Sequence, residues 1–244
     1  MKTTKVLQTN VSQTSINEVS NILNKTTGNR IAICNANTLV RSARSSHIAD
    51  LINNFTIRTP DGFPVAKALS ILTKQNFPRV DGYKVFLHTI KDGIDRNRSH
   101  YFFGSDELTT ELMIKNLKKD YPEIQISGYI CPEFLESDQL VEKYADEIQN
   151  INADIVWVSL GFPKQEMFID KISKTIDTNL NFIGIGGVFE WVAGTKKKAP
   201  EWLADIGFEW LLRLVQDPKR LYKRYLIDNT LFMVYFFRQL LFHR

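Results

Sequence analysis

The strongest constraint on this 244-residue chain is the alternation between His100 and Gly187. "HYFFG" reads as a strand, Glu107 to Lys119 as a helix and "EIQISGY" as a strand. Gln139 to Asn150 then reads as a helix, "ADIVWVSLG" as a strand, Lys164 to Thr175 as a helix and "NFIGIGG" as a strand. Strands that alternate with helices at this spacing are joined by crossovers, and crossovers build a parallel sheet with helices on both faces. The expected fold is α/β, a Rossmann-like parallel sheet flanked by helices. Upstream, "RIAICNAN" is a further strand, followed by a helical stretch to about Leu51 and another near Val65 to Gln75. Residues 1–29 are polar and predict only an irregular or partly helical lead-in.

The carboxyl-terminal part does not continue the alternation. "GFEWLLRLVQ" predicts a helix stopped by "DPKR", where Asp217 caps and Pro218 begins a second helix. In that helix Arg220, Arg224, Asp228 and Arg238 are expected on one side, with an apolar and aromatic remainder. The net charge is +4, yet residues 213–244 hold seven Lys/Arg against two Asp/Glu, a local +5 that leaves the first 212 residues at −1. The basic excess therefore belongs to the tail, which favours a local anionic partner over nucleic acid. Its longest apolar run, Leu231 to Phe237, falls far short of the roughly 20 residues that span a bilayer. Pattern alone leaves open an interfacial membrane helix or a helix packed on its own domain or a partner copy. The expected division is a catalytic domain over 1–212 and a basic, aromatic helical appendage over 213–244.

Several chemistries are poorly supported. No Asp-x-Asp occurs, and His47, His88, His100 and His243 lack ligand spacing, so no metal site is expected. There is no Gly-x-Ser-x-Gly elbow and no Walker loop. "GIGGVF" carries two glycines of a dinucleotide fingerprint but Phe189 at the third place, which leaves a nicotinamide oxidoreductase little support. Two cysteines, Cys34 and Cys131, give no disulfide framework, and Cys34 reads as a core residue. "MKTTKVLQTN" lacks the apolar core of a signal peptide, so a cytoplasmic setting is expected.

What remains are polar groups beyond apolar segments, where open α/β sheets bind ligands. "VSLGFPKQE" leaves a strand through Gly161 and Phe162 and opens a helix at Lys164, Gln165 and Glu166. "CNANTL" offers Asn35 and Asn37. Asp61 sits in Pro-Asp-Gly, a common turn, and Arg79 in "PRVDG" reads equally as a surface residue. Glu190 follows the glycines and either accepts from ribose hydroxyls or is solvated.

These signals fall in a known order. Asn35-Ala36-Asn37, Pro60-Asp61-Gly62, Arg79-Val80-Asp81-Gly82, Phe102-Phe103-Gly104, "KKDYPEIQISGY", "VSLGFPKQE", "GIGGVFEWVAG", "KAPEW" and "GFEWLLRLVQDPKRLYKRY" together resemble the WecG/TagA/CpsF family of bacterial glycosyltransferases. The resemblance implies inverting, metal-independent transfer of a hexose-type sugar (N-acetylhexosamine, uronic acid or hexose) from a UDP-sugar to a polyprenyl-diphosphate-linked sugar. The product would be a cell-surface polysaccharide or teichoic acid, with the enzyme peripheral on the inner membrane face.

By this resemblance Asp61 is the general base, and Asn35, Asn37, Gln165 and Arg213 complete the catalytic set. Arg79, Gly104, Gly161, Phe162, Lys164, Glu166, Gly186, Gly187, Glu190, Arg220 and Arg224 would bind substrate, and no cofactor is expected. The chain departs from the usual pattern at Asn35 (threonine), Glu190 (aspartate), Lys198 (arginine) and Ser159 (glycine). The tail would dock on the membrane, and self-association is plausible before it does. The competing expectation is a non-catalytic membrane-associated nucleotide-sugar binding or scaffold protein.

Overall fold

The computed structural model describes residues 1–177, 179–205 and 207–242; the side chains of Asp205 and Arg220 lie outside the description. Residues expected to form an irregular or partly helical lead-in build an unanticipated antiparallel hairpin, β1 (Thr3–Val6) and β2 (Thr9–Ser12), and then helix α1 (Ile16–Lys25), the helical part of that expectation. The segment is polar on average, but its apolar side chains are placed to be hidden. Val6, Val11, Val19 and Leu23 have no exposed surface. Ser15 and Glu18 form a capping box at the start of α1, satisfying two N–H groups that the first helical turn leaves open.

β3 (Arg30–Cys34) leads into α2 (Ala36–Arg44) and α3 (Ser46–Asn53). The single helical stretch expected there is broken at Ser45, whose hydroxyl caps α3. β4 (Ile57–Pro60), α4 (Gly62–Thr73) and α5 (Gly82–Ile94) come next, and the sequence pattern anticipated neither β4 nor α5. The alternation then holds as expected. It runs through β5 (Ser99–Gly104), α6 (Glu107–Asp120), β6 (Gln125–Ile130), α7 (Ser137–Gln149), β7 (Ile155–Ser159), α8 (Lys164–Thr175), β8 (Asn181–Gly184) and α9 (Val188–Ala193).

The six long-range strands form one sheet in the order β4-β3-β8-β7-β5-β6, every pair parallel. Central β7 sends Ile155 and Trp157 into one core and Val156 and Val158 into the other, all without exposed surface. Burial on both faces is why such a strand reads as an unbroken apolar run. Trp157 Nε1 donates to His100 Nδ1 at 3.1 Å, and burial pushes the His100 imidazole down to about 4, a neutral core histidine. Cys34 is a core residue as well, with its thiol pushed well up by burial.

The tail comprises α10 (Glu201–Asp205), α11 (Glu209–Gln216), α12 (Pro218–Tyr222), a π-helical segment at Lys223–Asp228 and α13 (Asn229–Phe242). The break at Asp217-Pro218 is where it was expected, but a division after residue 212 falls inside α11. Of the four residues expected on one side, Arg220's side chain lies outside the description, and the wide π turn prevents Arg224, Asp228 and Arg238 from sharing one α-helical face. Asp228 turns inward to accept from Asn37, whereas Arg238 is exposed.

α13 lies against α2 and α4 and buries Phe232 and Phe236, four residues apart with parallel rings 6.0 Å from centre to centre. Gln239 fastens its far end to the hairpin, donating to the Lys5 carbonyl and accepting from Leu7 N–H, both at 2.8 Å. Among the described residues no helix is long and apolar enough to cross a membrane.

Candidate active site

Four neighbouring strands end at one place. Asp61 follows β4, Asn35 follows β3, Gly186 and Gly187 follow β8, and Gly161 and Gln165 follow β7. Asp61 N–H donates to the carbonyls of Cys34 (2.9 Å) and Thr59 (3.0 Å), carrying the β3–β4 ladder one residue past the strand. On the outer side of β4, Val80 N–H bonds the Pro60 carbonyl at 3.0 Å, and Thr59 Oγ1 donates to the Val80 carbonyl at 3.1 Å. That edge pairing brings Arg79 and Asp81 beside Asp61, twenty residues along the chain.

Asp61 stands at the N-cap of α4, yet its side chain caps nothing. Both carboxylate oxygens are left for the cavity. Desolvation, and after it the Asp81 and Glu209 carboxylates, push its pKa up to about 6 against the opposing pull of Arg213 and Arg79. Asn35 does cap its helix, accepting from Thr38 N–H at 3.2 Å. Threonine and asparagine are both good N-caps, which accounts for the tolerance of asparagine here.

The Gly-Phe-Pro turn has Gly161 at φ +78°, a left-handed conformation that favours glycine, and a cis Phe162–Pro163 bond. Pro163 is the N-cap of α8, one position earlier than the first-turn place expected for it. Gln165 is buried and spends its amide inside the protein. Its Oε1 accepts from Gly186 N–H at 3.1 Å, and its Nε2 donates to Glu166 Oε1 at 2.9 Å. It thus ties the turn after β7 to the glycines after β8, and Gly184 leaves the room it needs: a Cβ there would lie 2.8 Å from Nε2.

Ser159 adds a second tie, its Oγ donating to the Gly186 carbonyl at 2.7 Å. Glu166 is buried with Oε2 unpartnered, and desolvation raises its carboxyl to about 7 despite the Gln165 bond and nearby Arg224. Glu190 pairs with Lys196 Nζ at 2.5 Å.

The tail closes the site from above, leaving two cavities that meet at Asp61. One, about 650 Å³, is polar and lies between the glycine turns, Gln165, Glu166, Glu190 and the tail. The other, about 380 Å³, is walled by Phe63, Pro64, Trp210, Leu226 and Met233. Asn35, Asn37, Asp61, Arg213, Arg224 and Tyr225 line both. From the tail, Arg213 stacks on the Trp191 ring at 4.2 Å, and Asp228 accepts from Asn37 Nδ2 at 2.5 Å.

Most of the residues singled out from sequence therefore converge, including Arg79, Gly161, Phe162, Gly186, Gly187, Glu190, Arg213 and Arg224. Two stand outside both cavities. Gly104 (φ +118°) is required by packing, since a Cβ would lie 2.3 Å from the Ser159 carbonyl oxygen. Lys164 points the other way, its Nζ 4.4 Å from the centre of the exposed Phe134 ring. The side chain of Arg220 lies outside the described residues, as does His243.

Sequence reading missed Glu209, Asp228, Tyr225 and Lys196. Glu209 carried one legible signal, its i,i+4 spacing to Arg213. Its contact to Arg79, 130 residues away, carried none.

With this geometry in view, comparison with known proteins is decisive. The sequence profile of the glycosyl transferase WecG/TagA/CpsF family matches residues 4–244. The chain belongs to that family. Similar curated proteins come from Bacillus subtilis strain 168 (28% identity over 171 residues, 70% of this chain), Bacillus spizizenii (30% over 164 residues, 66%) and Staphylococcus aureus strain MW2 (29% over 198 residues, 79%). Each is named N-acetylglucosaminyldiphosphoundecaprenol N-acetyl-beta-D-mannosaminyltransferase. The matches span 65%, 61% and 75% of those relatives' own lengths. Within this WecG/TagA/CpsF chain, the residues that converge at the cavity junction are largely those carrying the sequence resemblance.

Proposed function

We propose that the chain is an inverting, metal-independent glycosyltransferase that moves a sugar from a UDP-sugar to a polyprenyl-diphosphate-linked sugar. The sugar class is that in the relatives' names, an N-acetylmannosamine-type hexosamine passed to an N-acetylglucosamine acceptor. One observation carries the reading: the Asp61 carboxyl lies where a polar cavity meets an apolar-walled one. A nucleotide sugar suits the polar cavity, and the sugar end of a lipid-linked acceptor suits the other.

In this mechanism the acceptor hydroxyl gives its proton to Asp61 as its oxygen attacks C1 of the donor sugar. The C1–O bond to the diphosphate breaks, and the nucleotide leaves with the bonding pair. Inversion follows because attack and departure occur on opposite faces. Burial supports the role of Asp61, since a carboxyl raised to about 6 is a stronger base than an ordinary aspartate and is still ionised at neutral pH. Arg213 and Arg224 are the groups for the leaving diphosphate, where charge develops in a desolvated site. Glycine backbone at 186–187 and Glu190 are assigned to the nucleotide.

The membrane role rests on the outer face of the tail. Val234, Phe237 and Leu241 are exposed there, Trp202 is exposed as well, and the exposed parts of Leu226, Met233 and Phe63 carry the apolar surface on to the wall of the smaller cavity. Such a surface suits the interface of the bilayer that carries the acceptor.

The test is transfer from UDP-N-acetylmannosamine and other UDP-sugars to a polyprenyl-diphosphate-N-acetylglucosamine analogue, with chelator present. Wild type is expected to transfer and Asp61→Asn to lose about 10³-fold, the scale of a lost general base. Equal rates in the two proteins would remove Asp61 from the mechanism, and dependence on added metal would remove the arginines as sufficient charge stabilisers.

A further inference from the structure

We propose that Glu209 is a positioning residue that aims the Arg213 guanidinium into the space shared by the two cavities, with Arg79 serving as its brace and not as a substrate contact. The inference rests on the glycosyltransferase reading for its kinetic consequence, but its structural content stands apart from it.

The charges form a chain that runs from the sheet into the tail. Asp81 caps α5 through Lys84 N–H at 3.0 Å and pairs with Arg79 at 3.3 Å. Arg79 NH1 donates to Glu209 Oε2 at 2.5 Å, and the other oxygen, Oε1, accepts from Arg213 NH2. Arg213 then lies with its face on the Trp191 ring. Side-chain exposure along the chain is 10% for Asp81, 12% for Arg79, 15% for Glu209 and 26% for Arg213, so little solvent screens it.

Arg79 NH1 donates to Glu209, and NH2, 3.3 Å from Asp81 Oδ2 in a charge contact that is not a hydrogen bond, is itself buried, so this arginine presents no open fork for a phosphate. Arg213 differs. Its NH2 goes to Glu209, Tyr225 supplies a further side-chain hydrogen bond, and its guanidinium carbon lies over the Trp191 ring, contacts that together orient it along the cavity it lines. A planar guanidinium held by one edge and one face has a single orientation.

Glu209 is suited to this work because it stays anionic. Against the cost of burial, Arg213 and Arg79 hold its carboxyl below the usual range. It is also placed where only the closed tail can reach: Arg79 belongs to the segment pinned on β4, and Glu209 and Arg213 share α11. The pair Arg79–Glu209 thus registers the tail on the sheet at the point where the base stands. Its loss would leave Arg79 and Arg213 with one partner fewer, and Arg213 free to leave the Trp191 ring.

The experiment compares wild type, Glu209→Gln, Glu209→Asp, Arg213→Ala and the double variant Glu209→Gln/Arg213→Ala. The chain holds four tryptophans, so every variant is made in a Trp202→Phe/Trp210→Phe background, where Trp157 is fully buried and emission without ligand reports the Arg213–Trp191 contact. Arg213→Ala and Glu209→Gln should shift it alike, and the double variant should add nothing further. In transfer assays Glu209→Gln should lower kcat by about 10²-fold, the scale of losing one oriented charge-stabilising donor, with donor KM changed less than about threefold. Glu209→Asp should recover part of that loss, and thermal midpoints should stay close together.

Groups facing the base from the surrounding elements are Asp81, Arg79, Glu209 and Arg213. Because Glu209 is one of the carboxylates that raise Asp61, the acid limb of Glu209→Gln should move to lower pH. The proposal is overturned if Glu209→Gln keeps wild-type emission while Arg213→Ala does not, if Arg213→Ala itself leaves emission unchanged, or if the fall in kcat of Glu209→Gln is matched by an equal fall in its folded fraction. Absence of transfer by wild type with every donor would instead count against the glycosyltransferase reading, and the emission comparison would still decide where Glu209 holds Arg213.

Discussion

The half of the site carried by the sheet and the half carried by the tail are held by different forces. Asp61 is placed by backbone ladder bonds that run past the ends of β3 and β4, and Asn35 and the glycine turns by side-chain bonds to backbone, in which Asn35 caps α2 and Gln165 and Ser159 tie two turns together. Arg213 and Asp228 are placed by side chains: ion pairs, one amide bond and the burial of Phe232 and Phe236. Backbone ladders resist displacement cooperatively, whereas side-chain contacts can be released one element at a time. The proposed base therefore sits on the half held by the sheet, and the arginines proposed for the leaving group sit on the half held by side-chain contacts.

The strongest way to break this contrast is to release the tail without touching a charge. Phe232→Ala with Phe236→Ala should cost about 3–5 kcal/mol per ring, enough to undock α13. Limited proteolysis should then cut within the tail while a fragment holding the sheet persists, and transfer should fall by at least about 10²-fold. If transfer survives with the tail released, the arginines are not needed in their observed place.

A second test concerns the rigid half alone. The rate of transfer should rise with pH through about 6 and level off above it, as Asp61 ionises. Stability should run the opposite way. A carboxyl whose folded value lies above its unfolded value of 3.8 contributes fully at low pH, and that contribution is lost as pH rises through about 6. Glu166, raised to about 7, adds in the same direction. Thermal unfolding at pH 5 and pH 7 should show a smaller drop for Asp61→Asn than for wild type; an equal drop would mean Asp61 is not held out of water.

The smallest expected effect sharpens the role of the ties between turns. Ser159→Gly removes the 2.7 Å bond to the Gly186 carbonyl and should cost about 1 kcal/mol. A modest rise in donor KM with kcat preserved would place that tie on the nucleotide side. A loss in kcat alone would argue that it steadies the base instead.

How much of this was legible depends on how local the cause was. β7 announces itself because both its faces are buried, so no polar residue interrupts it. β4 does not, because "IRTP" is a short edge strand holding a proline and a buried arginine, and only pairing with β3 identifies it. The hairpin is hidden for a similar reason: its few valines look exposed until β4, α2, α3 and α4 cover them. Asp61 in isolation was a turn residue, and it took the ordered motifs to single it out. Gly104 was legible as special but for packing, because φ and the Ser159 carbonyl demand glycine there. The Arg79–Glu209 contact was invisible, since nothing in either local sequence refers to the other.

The bonds from Gln239 to Lys5 and Leu7 join the last helix to the first hairpin. A chain made from its amino end thus lays down the strand bearing the base early and the helices bearing the arginines late. The Leu7 N–H finds its partner only on α13. If Asp61 and Arg213 act as proposed, a chain still without its folded tail would hold the base and lack the charge for the leaving group.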